Sequence, residues 1–559
     1  MAFKKNNNYL PGVWAAGVAL MFLFQGTALA DNWTLPRNNV TLTNSTSEAL
    51  VLPLALAWQH STGPAVGNAS QPIVLDNMVV FAVLDRVIAV DASTGAFKWA
   101  YPSDNPLGTQ IKTSIASANG KVYFGANDGS LYCLSANDGR LLWAYATQSP
   151  IRSSPMISDG RLYVGSDDNS LHAIDAETGE PVDKWPFRTR DDITTPPAVA
   201  KGLVYFVSRD TNVYAASAMS ARFRWAKRMS VPTLNVLPIV DNENVYIAAG
   251  NLLIAVSAMG GQRRWALSFP AEISAPPALQ NDLLFVTTRT HKLYAISTKG
   301  KQRWASSADT VFPTRSSPMV AGNYVVVAGD KGLISIFDTE TGVLKWRYIV
   351  SPNQSAEQKV TAKNNNIGVS PVYANGALYI LADDGTLSAF RADAPDMTPP
   401  TASTQVPIPG SSVSGSPPLS ISVTLLDMGS GIDENSIALS LDGEALEHKF
   451  DSATGNITYT TPFTATQLPL KDGWHEINLV ATDWKGNQLK SDWTFMVDNT
   501  LPKPRVHVPV TKASKTPKTP KTPTSDTNSN QPPVLLPPGG DVGGATPPPP
   551  PPMPDAPTF

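Results

Sequence analysis

The sequence predicts an all-β protein: an eight-bladed β-propeller closed by its N-terminal strand, then a β-sandwich, then a disordered Pro-rich tail. Three observations carry this. Tryptophans recur at 58, 99, 143, 185, 225, 265, 304 and 346, spaced 41, 44, 42, 40, 40, 39 and 42 residues apart. A period near forty with four short strands per unit is the mark of a propeller blade. Short strand patterns return from Leu419, and beyond Thr500 the apolar content collapses.

The first thirty residues read as a signal peptide. Lys4 and Lys5 precede a mostly apolar stretch from Val13 to Phe24, and Ala28-Leu29-Ala30 is a small-x-small cleavage site. Cleavage after Ala30 is expected, and no later stretch is long and apolar enough to span a bilayer. Cys133 is the only cysteine, so no intramolecular disulfide forms and no lipid-modified cysteine follows the apolar stretch.

Residues 51–395 are expected to form the propeller. In one unit, "RSSPMIS", "RLYVGSDD", "LHAIDAETG" and "DKWPF" are strand-length apolar runs bounded by Gly, Asp and Asn. No helical period competes. The ends are complementary. "VLPLALAWQH" (51–60) is a tryptophan strand with no three strands before it, whereas 369–392 supplies three strands and no tryptophan. Joined, they complete an eighth blade and remove the open sheet edge. Burial of about 150–250 Å² per tryptophan, at about 25 cal/mol per Å², gives an upper bound near 4–6 kcal/mol each, so blade docking accounts for the tryptophans.

The unit endings "DASTGAFKW", "DAETGEPVDKW" and "DTETGVLKW", with weaker copies "AMGGQRRW" and "STKGKQRW", resemble the pyrroloquinoline-quinone (PQQ) repeat family. That family includes quinoprotein dehydrogenases and non-catalytic propellers such as the scaffold of the outer-membrane barrel-assembly machinery. The resemblance implies the fold. It argues against the chemistry, because family catalysts carry a vicinal cysteine disulfide, a calcium site and a catalytic aspartate, and a single cysteine excludes the first. With units 39 to 44 residues apart, little inserted chain is left for a lid. No cofactor is expected, and PQQ remains the alternative.

Residues 396–418, rich in Pro and Ser, read as a linker. From 419 to 500, "LSISVTLLD", "SIALSLDG", "NITYTTPF", "HEINLVATD" and "DWTFMVD" suggest a β-sandwich. "DMGSGIDENSIALSLDG" and "HEINLVATDWKGN" resemble bacterial immunoglobulin-like modules of envelope proteins. Residues 501–559, with "KTPKTPKTP" and six prolines at 547–552, cannot build a core and are expected to be disordered with polyproline-II character.

A net charge of -3 gives no argument for nucleic acid. The six histidines are scattered without metal-ligand spacing, and no Gly-rich phosphate loop opens a helix. The acidic turns "ANDGS", "SDDNS" and "ADDGT" fit hairpin chemistry and lack calcium-loop spacing.

One constellation carries chemistry. Aligned units place Ala69, Lys112, Arg152, Thr194, Asn235, Ser274, Arg315 and Gly368 at one position on the innermost strand, lining the channel. Two cations about 9 Å apart repel by roughly 2 kcal/mol at an effective dielectric near 20, so such a ring wants an anion. Asp191 and Asp192 could neutralise it internally. Otherwise Lys112, Arg152, Thr194, Asn235, Ser274 and Arg315 form a channel-mouth site for an anionic ligand such as a quinone.

The expected function is that of an exported, non-enzymatic scaffold in the bacterial envelope, periplasmic or extracellular, binding envelope proteins or an anionic small ligand. The alternatives are a reduced PQQ-dependent dehydrogenase and a surface adhesin or glycan binder.

Overall fold

Apolar runs of five or six residues between Gly- and Asn-containing turns become the middle strands of eight sheets. A computed structural model describes residues 32–62, 70–229, 236–350, 366–452, 454–462 and 468–502. The expected signal peptide (1–30) and all but the first two residues of the expected tail (501–559) lie outside these.

Blade 1 is Ile73–Leu75, Met78–Val83, Arg86–Asp91 and Phe97–Tyr101, stepping outward in antiparallel order. Blades 2 to 7 repeat the plan. Blade 8 takes Val372–Ala374, Ala377–Leu381 and Thr386–Arg391 from late in the propeller, and Ala55–Ser61 from its start pairs antiparallel with Thr386–Arg391. Middle strands are buried on both faces because each blade is covered by two neighbours; all five residues of Leu203–Val207 are buried. Outer strands such as Leu141–Ala146 only alternate between half-buried and exposed.

Blades dock through the tryptophans. The indole Nε1 of Trp58, Trp99, Trp225, Trp265 and Trp304 donates to the carbonyls of Ala92, Ala136, Ala258, Thr298 and Thr339, at 2.8–3.2 Å. Each acceptor sits in the turn of the following blade, whose glycine underlies the ring. A Cβ on Gly139 would lie 2.5 Å from the Trp99 ring, and Gly139 has φ +71°, a region that costs other residues conformational energy. The turn is fixed by its aspartate. Asp175 Oδ1 accepts from the Glu177 and Thr178 N–H groups at 2.9 Å and from the Thr178 hydroxyl at 3.1 Å.

Three expectations are corrected. Blades 3 and 6 have outer strands of only two residues, Phe187–Arg188 and Ala308–Asp309, so Trp185 and Trp304 precede the strand instead of lying in it. In blade 3 the two extra residues and Pro186 displace the pairing. Next, the ring begins before residue 51. Trp33 is 1% exposed and exchanges backbone bonds with Val74 of blade 1. The carbonyls of Thr34, Val40, Thr41, Thr43 and Asn44 then accept from Ser117, Val199, Val240, Leu279 and Val320, at 2.7–3.1 Å. This polar segment thus crosses the inner strands of blades 2, 4, 5, 6 and 7. Finally, 396–418 is no linker. Thr401–Val406 pairs with Ser420–Leu426, and Ser412–Val413 runs parallel to Met496 and Val497. Thr401–Val406 is an edge strand with four of six residues exposed, so it lacks the apolar pattern that marks a strand.

The sandwich has two sheets. One contains Thr401–Val406, Ser420–Leu426, Asn456–Thr460 and Lys449–Asp451; the other is built on Gly473–Thr482 and Gln488–Val497. Ile421, Val423, Ile457, Leu479, Trp493 and Phe495 fill the space between them. The sandwich and propeller form one compact unit. Trp346 of blade 7 donates to the Ser430 carbonyl of the sandwich at 3.2 Å, in place of a turn in the next blade. Tyr348 OH donates to Met428 O, Leu56 N–H to Gly429 O, and Trp484 Nε1 to Arg347 O.

Gly139→Ala should destabilise the ring by about 2–4 kcal/mol, combining left-handed strain with a clash against a buried ring. Gly120→Ala, with φ +70° and nothing within 4 Å, should cost only about 1–2 kcal/mol. Thermal unfolding of both variants checks the difference.

The Asp175 carboxyl is held below its usual range, first by the Thr178 N–H, against partial burial, and then by the Glu177 N–H and the Thr178 hydroxyl. Its folded pKa is therefore depressed. The stabilisation is present above the unfolded value near 4 and is lost as pH falls through the folded value. Melting temperature should fall between pH 5 and pH 3, and Asp175→Asn should shrink that acid-side fall.

Candidate binding site

The channel residues are positioned by a repeated step. Ile111, Ile151, Ile193, Ile273 and Ile367 are buried or nearly so, and the next residue in each case is Lys112, Arg152, Thr194, Ser274 or Gly368. Arg315 follows buried Thr314 in the same way. These six residues precede the innermost strands instead of lying in them; in blade 2 the strand begins at Ala116. The extended approach to each strand, not the strand itself, carries the predicted position. Ala69 and Asn235 fall outside the described residues.

Around the mouth, hydroxyls link neighbouring blades. Ser153 Oγ donates to Thr195 O at 3.0 Å, Thr195 Oγ1 donates to Val236 O at 2.9 Å, and Ser274 Oγ and Thr314 Oγ1 lie 3.1 Å apart.

Two of the three ring cations are neutralised within their own blades. Arg152 pairs with Asp167 at 2.5 Å and Arg315 with Asp330 at 2.9 Å. Internal neutralisation therefore holds, but not by the aspartates expected. Asp192 pairs with Arg209 at 3.1 Å, and Asp191 gives its carbonyl to the Thr189 and Ser208 hydroxyls. The sequence could not show this, because the partner of each pre-strand residue lies on the second hairpin of its blade, fifteen positions later. Burial pushes the Asp167 carboxyl up, and Arg152 pulls it partly back.

A cavity of about 250 Å³ lies in the channel, lined among others by Lys112, Arg315, Gly368, Gln71 and Arg37. Sequence reasoning missed Arg37, which belongs to the segment crossing the inner strands. It is 5% exposed. Its guanidinium donates to Leu42 O at 2.8 Å, to Ser317 Oγ at 2.7 Å and to Pro277 O, while its N–H bonds Gln71 Oε1 at 2.9 Å. Burial lowers it to about 9, which leaves it charged at neutral pH. No sequence signal marks it, since "TLPRNNVT" reads as surface chain.

Two of the three ring cations already hold carboxylates. Cys133 is fully buried among Tyr123, Ile151 and Trp143 between blades 2 and 3. Among the described residues, the group of three metal-ligating side chains close enough to share an ion is Asp396, Asp427 and Asp483, at the sandwich and outside the channel.

Replacing Arg37 with Met should leave buried acceptors at Leu42, Pro277 and Ser317 unpaired and cost about 2–4 kcal/mol. Lys112→Ala at the exposed rim should stay within about 0.5 kcal/mol. Denaturant titration of the two variants checks the contrast.

A family model described as "Outer membrane protein assembly factor BamB" matches residues 53–154, 84–191, 155–272 and 249–394, more than half of the chain. The outer membrane protein assembly factor BamB of Salmonella typhimurium is 25% identical over 357 residues, covering 60% of this chain and 88% of that protein. Its Yersinia pestis counterpart is 27% identical over 155 residues, 27% of this chain, and the match spans only 39% of that protein. The dehydrogenase subunit of the quinone alcohol dehydrogenase of Gluconacetobacter polyoxogenes is 35% identical over 106 residues, 17% of this chain and 14% of that protein. Among solved structures, a europium-containing methanol dehydrogenase superposes with TM-score 0.53 at 15% identity, covering 65% of this chain and 98% of that one, which shows the shared fold. With its eight tryptophan-docked blades and a family match running from blade to blade around the ring, the chain belongs to the PQQ-repeat propeller family described by BamB.

Proposed function

We propose that this chain is an exported, non-enzymatic propeller scaffold of the bacterial envelope that binds envelope proteins through the loops at the mouth of its channel. The observation that carries the reading is the alignment with an outer membrane assembly factor over 88% of that protein's length. The quinone dehydrogenase relative aligns over 14% of its length. The signal-peptide pattern supports export. The mouth supports binding: hydroxyl bridges and ion pairs within blades make a rigid rim, and rigid rims with variable turns are where scaffolds present partner-specific residues.

The test is site-specific photo-crosslinking in the envelope. A photoreactive residue at exposed Arg190 or Arg289, both on the mouth side, should capture envelope proteins. One at exposed Asn242, on the turn opposite, should capture far less. Equal capture from both faces, or none, would remove the assignment. A dye-linked assay with added PQQ and calcium over alcohols and sugars should show no turnover.

A second reading rests on the channel cavity, where Lys112, Arg315 and Arg37 converge. It takes a small anionic ligand there. Lys112→Glu with Arg315→Glu should abolish binding of PQQ, used as the probe anion in calorimetry; unchanged heat in the double variant would exclude the site.

A further inference from the structure

Three carboxylates meet where the sandwich takes up the blade 7 tryptophan. Asp396 follows the last blade, Asp427 follows Ser420–Leu426, and Asp483 follows Gly473–Thr482. One ligand oxygen from each lies within 4.8 Å of the others. Asp483 is 2% exposed. The arginines of this junction are engaged elsewhere, Arg347 with Glu434 and Arg391 with Asp393.

Neutral donors hold the carboxylates in place. Asp396 accepts from the Ser430 N–H at 2.7 Å, from the Thr398 N–H at 3.3 Å and from the Thr398 hydroxyl at 3.1 Å. Asp427 accepts from the Gly429 and Gly431 N–H groups at 3.0 and 2.7 Å. Asp483 accepts from the Asn487 N–H and side-chain amide at 2.9 and 2.7 Å. None of these donors carries a charge.

A separate observation points to a ligand. Ser430 is 0% exposed, and its backbone N–H bonds the Asp396 carboxylate at 2.7 Å. Yet the hydroxyl oxygen completes no hydrogen bond. Buried hydroxyls are ordinarily satisfied, and this one belongs to the residue whose N–H already holds Asp396 of the cluster.

We infer that Asp396, Asp427, Asp483 and the Ser430 hydroxyl bind a calcium ion that ties the sandwich to the propeller. The donors are all hard oxygens, with no imidazole or thiolate, which suits calcium over zinc. Oxygens within 4.8 Å of one another fit inside a calcium shell, about 4.6–5.2 Å in diameter, and magnesium, which dehydrates reluctantly, is seldom held by such an all-protein cage. The ion would sit beside the Ser430 carbonyl that receives Trp346, so it would stiffen the loop that joins the two folded parts. The inference is independent of the partner-binding role proposed above.

The test uses the full mature chain, stripped with a chelator. Calorimetry with calcium should give one site per chain with Kd of about 1 mM or tighter. Terbium should give luminescence sensitised by the adjacent Trp484. Melting temperature should rise with calcium and far less with magnesium at the same concentration. Asp427→Asn and Asp483→Asn should each weaken calcium binding at least tenfold, and Ser430→Ala, which keeps every carboxylate, should weaken it several-fold. Asp442→Asn, paired with His475 elsewhere in the sandwich, should bind like the parent. No calcium heat and no terbium signal up to about 5 mM in the parent chain would overturn the site. So would parent-like affinity in folded Asp427→Asn or Ser430→Ala; the serine variant keeps the test decisive where a carboxylate variant does not fold.

Discussion

The seating of one blade's indole on the next blade's turn glycine is the constraint on which the rest of the propeller depends. It fixes a donor, a carbonyl acceptor one residue past the turn's first position, and a glycine with no room for a Cβ. Trp58 over Gly95, Trp99 over Gly139 and Trp304 over Gly342 repeat the same contact. Where the contact recurs, the spacing between tryptophans can vary only by what a surface loop absorbs. Blade 3 shows the limit. Trp185 lies ahead of its outer strand, and the Nε1 atoms of Trp143 and Trp185 are buried without acceptors.

A ring built of such contacts still needs closing, and two segments from early in the chain do it differently. Ala55–Ser61 completes blade 8 as an outer strand, so first and last repeats share one sheet. The preceding segment crosses the inner strands, giving its carbonyls to successive blades. It brings Arg37 to the channel cavity and satisfies that buried cation with carbonyls and a hydroxyl instead of a carboxylate. The mouth is balanced blade by blade, Arg152 with Asp167 and Arg315 with Asp330. Half-exposed pairs of this kind add little stability, about 0–1 kcal/mol each. Their effect is to hold the rim residues in fixed places.

The sandwich extends the same docking logic beyond the ring. Trp346 meets the Ser430 carbonyl where the earlier tryptophans meet a blade turn. Tyr348 stacks on Trp346 at 5.7 Å, with its hydroxyl on Met428 O. Two folded parts that could have been beads on a string are thus joined through a buried aromatic pair and a loop rich in backbone bonds.

Much of this was legible in the sequence, because blade number, strand order and closure follow from local patterns that repeat. Eight tryptophans at a near-constant period, and a first strand that supplies what the last blade lacks, determine the ring without coordinates. The register of Lys112, Arg152 and Arg315 within the repeat was legible, but their place was not, since they lie on the approach to the innermost strand instead of on it. What only the tertiary structure decided are contacts that the local period does not specify. Asp167 and Asp330 became the partners of the ring cations because the second hairpin of a blade folds back over its approach chain. Thr401–Val406 became a strand because a neighbouring edge was available to pair with it, not because its own residues alternate. Arg37 was buried by the approach chains of blades 1, 6 and 7, at Gln71, Pro277 and Ser317, and Asp396, Asp427 and Asp483, 31 and 56 residues apart in the chain, converge only once the sandwich docks. Local periodicity is written into the chain because each strand must bury a face; the pairing of distant charges is not, because it depends on where those faces finally meet.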